Sequence, residues 1–228
     1  MNFAEILFLL ALDSKRGIIR PDMERSLDYA LAGALLMDLA IDNRVDTDLT
    51  CIRHDPHAES RDPLLLRVVD KSPTGDGLLD EALKELQYKS DPRPTREWLE
   101  HFSTEGKMIR ARVAAQLAAS KVLEIREEKK LIFFKTRRYI LVDASGMDAI
   151  KSRLKELVLD DEIPDAREVV LVGMANSCGL FDNLFSPEDL ARVRPRINSL
   201  RKLDLIGQAV TGIIREIEHT ISTEMRPG

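Results

Sequence analysis

The chain has 228 residues, 44% hydrophobic and 32% charged, with 34 Lys and Arg against 39 Asp and Glu for a net charge of −5. That length and apolar content suffice for a buried core and exclude a chain disordered throughout. Two cysteines, Cys51 and Cys178, cannot build a disulfide framework, and with 4 His the sequence contains no CxxC or HExxH zinc motif. The longest apolar run, Ile6 to Leu12, falls far short of the roughly 20 residues that span a bilayer. Glu5 before it, Asp13 after it and the lack of a basic n-region are unlike a signal peptide. A cytoplasmic, globular protein is expected.

Residues 3–13 read as a short, nearly all-apolar helix closed by Arg16-Gly17. A longer helix is predicted from about Asp22 to Asp42, opened by Pro21, with Leu27, Leu31, Leu35 and Leu39 on one stripe and Ala30, Ala32, Gly33 and Ala34 allowing close packing. Weak alternation from Asn43 to Arg53 suggests a small hairpin. After a His, Asp and Pro-rich loop, Leu64 to Val69 is a strand candidate, and the turn at Pro73 to Gly77 leads into a helix from Leu78 to about Tyr88. A short helix follows with Trp98 and Leu99, then a helix from Lys107 to Ser120 with Ile109, Val113 and Leu117 inward. Strands are expected at Val122–Arg126, Leu131–Phe134 and Arg138–Val142, the last two joined by Lys135-Thr136-Arg137. Helices resume at Met147–Leu159 and Pro164–Cys178, Pro187 and Pro195 punctuate a helical tail, and a last helix is expected from about Ser199 to Ile221. The economical architecture is mainly α: a single helical domain, residues 1–228, with small β-hairpins.

Charge is uneven. Ten basic residues face three acidic ones between Lys107 and Arg138, so that segment holds about +7 and the remainder about −12. A local positive field attracts anionic partners even on an acidic molecule. Lys107 and Arg110, three residues apart, stand about 60° apart on one helix face and can clamp a phosphate, Arg110 offering a bidentate fork. Arg112 lies well round the helix and is suited to another contact. In the hairpin, Leu131, Ile132, Phe133 and Phe134 are flanked by Lys129, Lys130, Lys135, Arg137 and Arg138, the mixture a shallow membrane-inserting or partner-binding ribbon needs.

Several strings resemble the Golgi phosphoprotein 3 family. Glu5 to Asp13 with Gly17 is similar to its opening segment, and Leu31 to Ala40 followed by Asn43-Arg44-Val45 to its glycine-containing helix. Pro73-Thr74-Gly75-Asp76-Gly77-Leu78-Leu79-Asp80-Glu81-Ala82-Leu83 nearly reproduces its P-T-G-D-x-L-L-D-E-A-L string. Ile109 to Ala114, then Lys121-Val122-Leu123, resembles a later stretch, and the likeness runs over roughly residues 3–215. The resemblance implies a mostly helical, non-catalytic adaptor. Eukaryotic members bind phosphatidylinositol 4-phosphate on Golgi membranes and help retain glycosyltransferases, and relatives occur in bacteria. It aligns Lys107 and Arg110 with two basic headgroup-binding positions. Two other pocket positions differ: Ala32 stands where the family has Arg, and Asp22 or Met23 where it has Trp. Losing both removes about 2–4 kcal/mol of typical binding energy, so acidic-lipid binding is expected above strict 4-phosphate selectivity.

The expected headgroup-binding set is therefore Lys107, Arg110, Arg112 and Arg20. The expected membrane or self-association hairpin carries Phe133, Phe134, Lys135, Arg137 and Arg138. The partner is an anionic phospholipid headgroup on a membrane, at the cytosolic face of the Golgi in a eukaryote, with a second copy of the chain able to join through the hairpin. No cofactor, metal or catalytic residue is assigned. The loop residues Cys51, His54, Asp55, His57 and Glu59 fit no metal-ligand spacing, Asp76 reads as a helix cap, and Ser145-Gly146 and Ser177-Cys178-Gly179 lack a hydrolase setting. The alternative is a winged-helix-like nucleic-acid-binding module, with residues 107–120 as helix and the hairpin as wing.

Overall fold

The computed structural model describes residues 1–48, 65–89, 92–131, 134–160, 162–201 and 212. Helix α1 (Phe3–Ala11) begins at a reciprocal cap: Asn2 Oδ1 accepts the Glu5 N–H at 2.8 Å, and Glu5 Oε2 accepts the Asn2 N–H at 3.0 Å. Every residue of α1 except Glu5 is buried, which is why its sequence is apolar all round. A two-residue ribbon, β1 (Leu12–Asp13) with β2 (Ile18–Ile19), and a 3-10 turn (Pro21–Met23) lead to α2 (Glu24–Ile41). Its small residues Ala30, Ala32, Gly33 and Ala34 are all buried, and α1, α3 (Gly77–Tyr88), α4 (Thr95–Thr104), α5 (Gly106–Ala119) and α7 (Ala166–Ser177) pack against it. The remaining helices are α6 (Ser145–Leu159) and α8 (Pro187–Arg201). One continuous cluster of buried side chains runs from Phe3 to Leu200. The architecture is mainly α with small antiparallel sheets.

A buried acid ties three of these helices together. Asp38, at 3% exposure on α2, accepts the Phe3 N–H at 2.8 Å and an Arg167 N–H at 3.1 Å, while the Arg167 guanidinium lies 4.2 Å over the Phe3 ring. Burial pushes its carboxyl up to about 6, against the opposing pull of the Phe3 amide and Arg167.

Three expectations need correction. The described part of the stretch expected as a hairpin pairs outside it: β3 (Val45–Asp48) pairs with the distant β4 (Leu65–Val68), Val45 opposite Val68, and β5 (Arg93–Pro94) adds to the other edge of β4. Alternation marks a strand but not its partner. Residues 49–64, including the loop from Cys51 to Glu59, lie outside the described residues. Two long strands replace the three expected after α5: β6 (Leu123–Leu131) and β7 (Phe134–Leu141). Lys135-Thr136-Arg137 falls inside β7, opposite Lys129, Glu128 and Glu127, rather than forming the turn. Cross-strand Glu–Arg pairing lets a strongly charged run stay extended. Finally, α8 runs through Pro195 and past Ser199, because Leu190, Val193, Ile197 and Leu200 are buried and their packing offsets the hydrogen bond the proline removes. Residues 202–211 and 213–228, which hold most of the last expected helix, lie outside the described residues.

Candidate anion-binding site

Helix α5 follows α4 with only Glu105 between them, and its first residue, Gly106, is buried against α2. A Cβ there would stand 2.2 Å from Asp28 Cγ and 2.5 Å from Asp28 Cβ, so glycine is what allows the approach. The contact brings the Asp28 carboxylate to the positive end of the α5 dipole.

Arg110, one turn along, points into this junction. Its side chain is 12% exposed, with Nε 3.2 Å from Asp28 Oδ1 and Nη1 3.8 Å from Glu24 Oε2. Lys107 is exposed and makes no ion pair among the described residues, yet stands near enough to favour the charged form of Asp28. Burial nevertheless raises the Asp28 carboxyl above its ordinary value, with Glu24 adding repulsion and Arg110 and Lys107 opposing both. Asp28 Oδ1 is buried without a hydrogen-bond partner among the described residues. The two cations thus flank one face, but differently: Lys107 lies in water, and Arg110 is drawn inward by acids of α2.

The other two expected headgroup residues have partners of their own. Arg112 turns toward α3 and donates from Nη2 to Glu81 Oε1 at 2.7 Å, leaving the face shared by Lys107 and Arg110. Arg20 precedes the 3-10 turn, where its guanidinium meets the Met23 sulfur and its Nε is buried without a partner among the described residues. Ala32, where the family resemblance expects a cation, is buried, and of the two positions where it expects an aromatic Met23 is buried and Asp22 exposed.

The hairpin is anchored at its base. The Tyr139 N–H donates to Gly17 O at 2.7 Å, the Tyr139 ring meets Phe8 edge-on at 5.1 Å, and Arg138 donates to the Arg16 carbonyl. Gly17, at φ +67°, fits this contact, since a Cβ would crowd Tyr139 O at 3.1 Å. Arg138 Nε lies 3.0 Å from Glu128, Arg137 3.9 Å from Glu127, and Arg126 3.0 Å from Glu124, a set of glutamate–arginine pairs on one ribbon. Phe133 lies outside the described residues, as do the side chains of Phe134 and Lys135, whose backbone opens β7.

Sequence reasoning missed Asp28, Glu24 and Gly106. The pair Glu24/Asp28 at i and i+4 was visible as an acidic face on α2, but nothing in the spacing said it would meet α5. It also missed a mixed cluster at α3 and α4. The ligand atoms of Glu85, His101 and Glu105 lie within 4.8 Å of one another. His101 Nε2 is already hydrogen-bonded to Glu85 at 2.8 Å and its ring is flanked by Trp98 and Phe102, which accounts for the approach without an ion.

With this geometry established, comparison with known sequences fixes the kinship. The family model described as Golgi phosphoprotein 3 (GPP34) matches residues 3–217. The chain belongs to the Golgi phosphoprotein 3 family. Vacuolar protein sorting-associated protein 74 of Eremothecium gossypii is 29% identical to it over 171 residues, 70% of this chain and 49% of that protein. The protein of the same name from Schizosaccharomyces pombe is 29% identical over 167 residues, 68% of this chain and 47% of its own length. The chain thus spans about half the length of the curated relatives it matches. Among the described residues, no helix is long and apolar enough to cross a membrane.

Proposed function

We propose that this member of the Golgi phosphoprotein 3 family is a non-enzymatic adaptor. In this reading, residues 1–228 act as one domain that docks at membrane surfaces by binding anionic phospholipid headgroups, with phosphatidylinositol 4-phosphate the family's expected ligand. The observation that carries the reading is the face where exposed Lys107 and inward-turned Arg110 meet at the start of α5. A phosphate there would receive charge-assisted hydrogen bonds from two side chains one helical turn apart and the favourable end of the helix dipole. In the same reading the hairpin, held at its base by Tyr139 and Gly17, assists docking or self-association. In a eukaryotic cell the docking surface would be the cytosolic face of the Golgi.

Co-sedimentation with phosphatidylcholine vesicles, with and without phosphatidylinositol 4-phosphate, tests this. The parent should pellet with the anionic vesicles, and Lys107→Glu should lose most of that binding, since it exchanges an exposed cation for an anion. Added salt should weaken the parent's binding. Equal pelleting of parent and variant removes the site from the account. The nucleic-acid reading draws less support. Ile109, Val113, Ala114 and Leu117 bury one side of α5 in the body, and Arg112 on another side is held by Glu81. The arginines of the wing are matched with glutamates.

A further inference from the structure

Resting on that reading of the site, we propose that Asp28 is an internal competitor for Lys107 and Arg110, so that the chain accepts phosphomonoester headgroups and rejects singly charged ones. Two acids, Glu24 and Asp28, already face the two cations, Arg110 and Lys107. A ligand therefore holds Arg110 only by contacts better than those Asp28 already makes. Asp28 is tethered to α2, so its effective concentration at Arg110 is high. A diffusing phosphatidylserine carboxylate or phosphodiester carries a single charge like Asp28 and gains nothing by replacing it. A phosphomonoester carries about 1.5–2 negative charges and three strong acceptor oxygens, enough to engage Arg110 and Lys107 together.

Asp28 is also an imperfect occupant, which makes it displaceable. Its Oδ1 sits 3.2 Å from Arg110 Nε yet is buried without a hydrogen-bond partner among the described residues. Gly106 stops it from settling deeper, since the helix start already lies against its Cβ and Cγ. The side chain keeps 20% exposure, an open route toward solvent when a stronger anion arrives.

The experiment compares full-chain binding to phosphatidylcholine vesicles brought to equal surface charge with either phosphatidylserine or phosphatidic acid. The parent should bind the phosphatidic acid vesicles about tenfold more tightly. Asp28→Asn should raise phosphatidylserine binding by about tenfold and bring the ratio toward one. A parental ratio near one overturns the proposal, as does an Asp28→Asn protein of parental melting behaviour that keeps the parental ratio. Should Asp28→Asn fail to fold, the parental ratio still decides. Lys107→Glu separates the two levels. If it pellets like the parent, the headgroup site itself is lost. If it stops binding while Asp28→Asn keeps the parental ratio, the site stands and the competitor role falls.

Discussion

Gly106→Ala is the sharpest probe of the α2–α5 junction, because general helix physics and the local contact predict opposite signs. In an exposed helix the change would stabilise by about 1 kcal/mol through helix propensity. At Gly106 the new methyl would stand 2.2 Å from Asp28 Cγ, 2.3 Å from its Oδ1 and 2.5 Å from its Cβ. Rotating the Asp28 side chain clears the first two contacts but not the third, since the Cβ is fixed by the α2 backbone. The helices must therefore separate, and overpacking of this kind costs about 1–3 kcal/mol. Separation also draws Asp28 from Arg110, whose side chain is only 12% exposed and would retain Glu24 at 3.8 Å as its acid. A buried arginine stripped of a partner is costly by several kcal/mol at the limit. The net expectation is a destabilisation of about 2 kcal/mol or more despite the propensity gain.

Urea denaturation of the parent, Gly106→Ala, Asp28→Gly and the double variant closes a double-mutant cycle. Removing the Asp28 Cβ removes the obstacle, so Gly106→Ala in the Asp28→Gly background should be neutral or mildly stabilising. The coupling between the two positions should reach about 2 kcal/mol. A stabilised Gly106→Ala single variant, or additive effects, would refute the close approach and with it the explanation of why Arg110 faces inward.

Two further predictions concern the polar ties of the body. Asp38 has a folded pKa of about 6, above its ordinary value of 3.8, so folding takes up a proton. Its contribution is fully present below the ordinary value and is lost as pH rises through about 6, worth up to about 3 kcal/mol. Urea midpoints of parent and Asp38→Asn between about pH 4 and pH 7 should diverge in slope, the parent weakening as pH rises and the variant less so; parallel curves would contradict the shift. Asp76 Oδ1 accepts the Leu78 and Leu79 N–H groups at 2.8 and 3.2 Å and Gln116 Nε2 at 3.0 Å, while Oδ2 accepts Asn2 Nδ2 at 2.9 Å. Asp76→Ala should therefore cost about 2–3 kcal/mol in thermal or urea unfolding, more than a lone cap, and Asp76→Asn should recover much of it by keeping one capping oxygen.

Much of the fold was legible because local signals and packing agree. The all-apolar run after Asn2 is a buried helix, the leucine stripe of α2 faces the core, and the Pro73–Gly77 turn ends on a carboxylate that caps α3 as its position suggested. The errors arose where structure depends on a distant partner. Val45–Asp48 needed Leu65–Val68, far along the chain, and Lys135–Arg137 needed Glu127 and Glu128 across the ribbon to remain extended. The site was half legible for the same reason. Helical spacing placed Lys107 and Arg110 on neighbouring turns, but only packing of α5 on α2 determines that Arg110 meets Asp28 while Lys107 stays in water.

That distinction changes the meaning of the segment's charge excess. Counted along the sequence, Lys107 to Arg138 is strongly positive. In the fold, Arg110 faces Asp28 and Glu24, Arg112 faces Glu81, and Arg126, Arg137 and Arg138 face Glu124, Glu127 and Glu128. A basic residue near an anionic bilayer contributes about 1 kcal/mol only insofar as its charge is available to the surface. Arginines already matched by glutamates contribute less than their number suggests, and their exposed pairs add little to stability either. Three of these acids, Glu24, Asp28 and Glu81, lie on α2 and α3, outside the basic segment, so summing charge over that segment cannot anticipate them. Recognition at the start of α5, in the proposed reading, then depends on short-range contacts at one junction as well as on the positive charge left in the segment. Under the proposed reading, a headgroup must present enough charge and enough oxygens at the start of α5 to compete with the carboxylate already there.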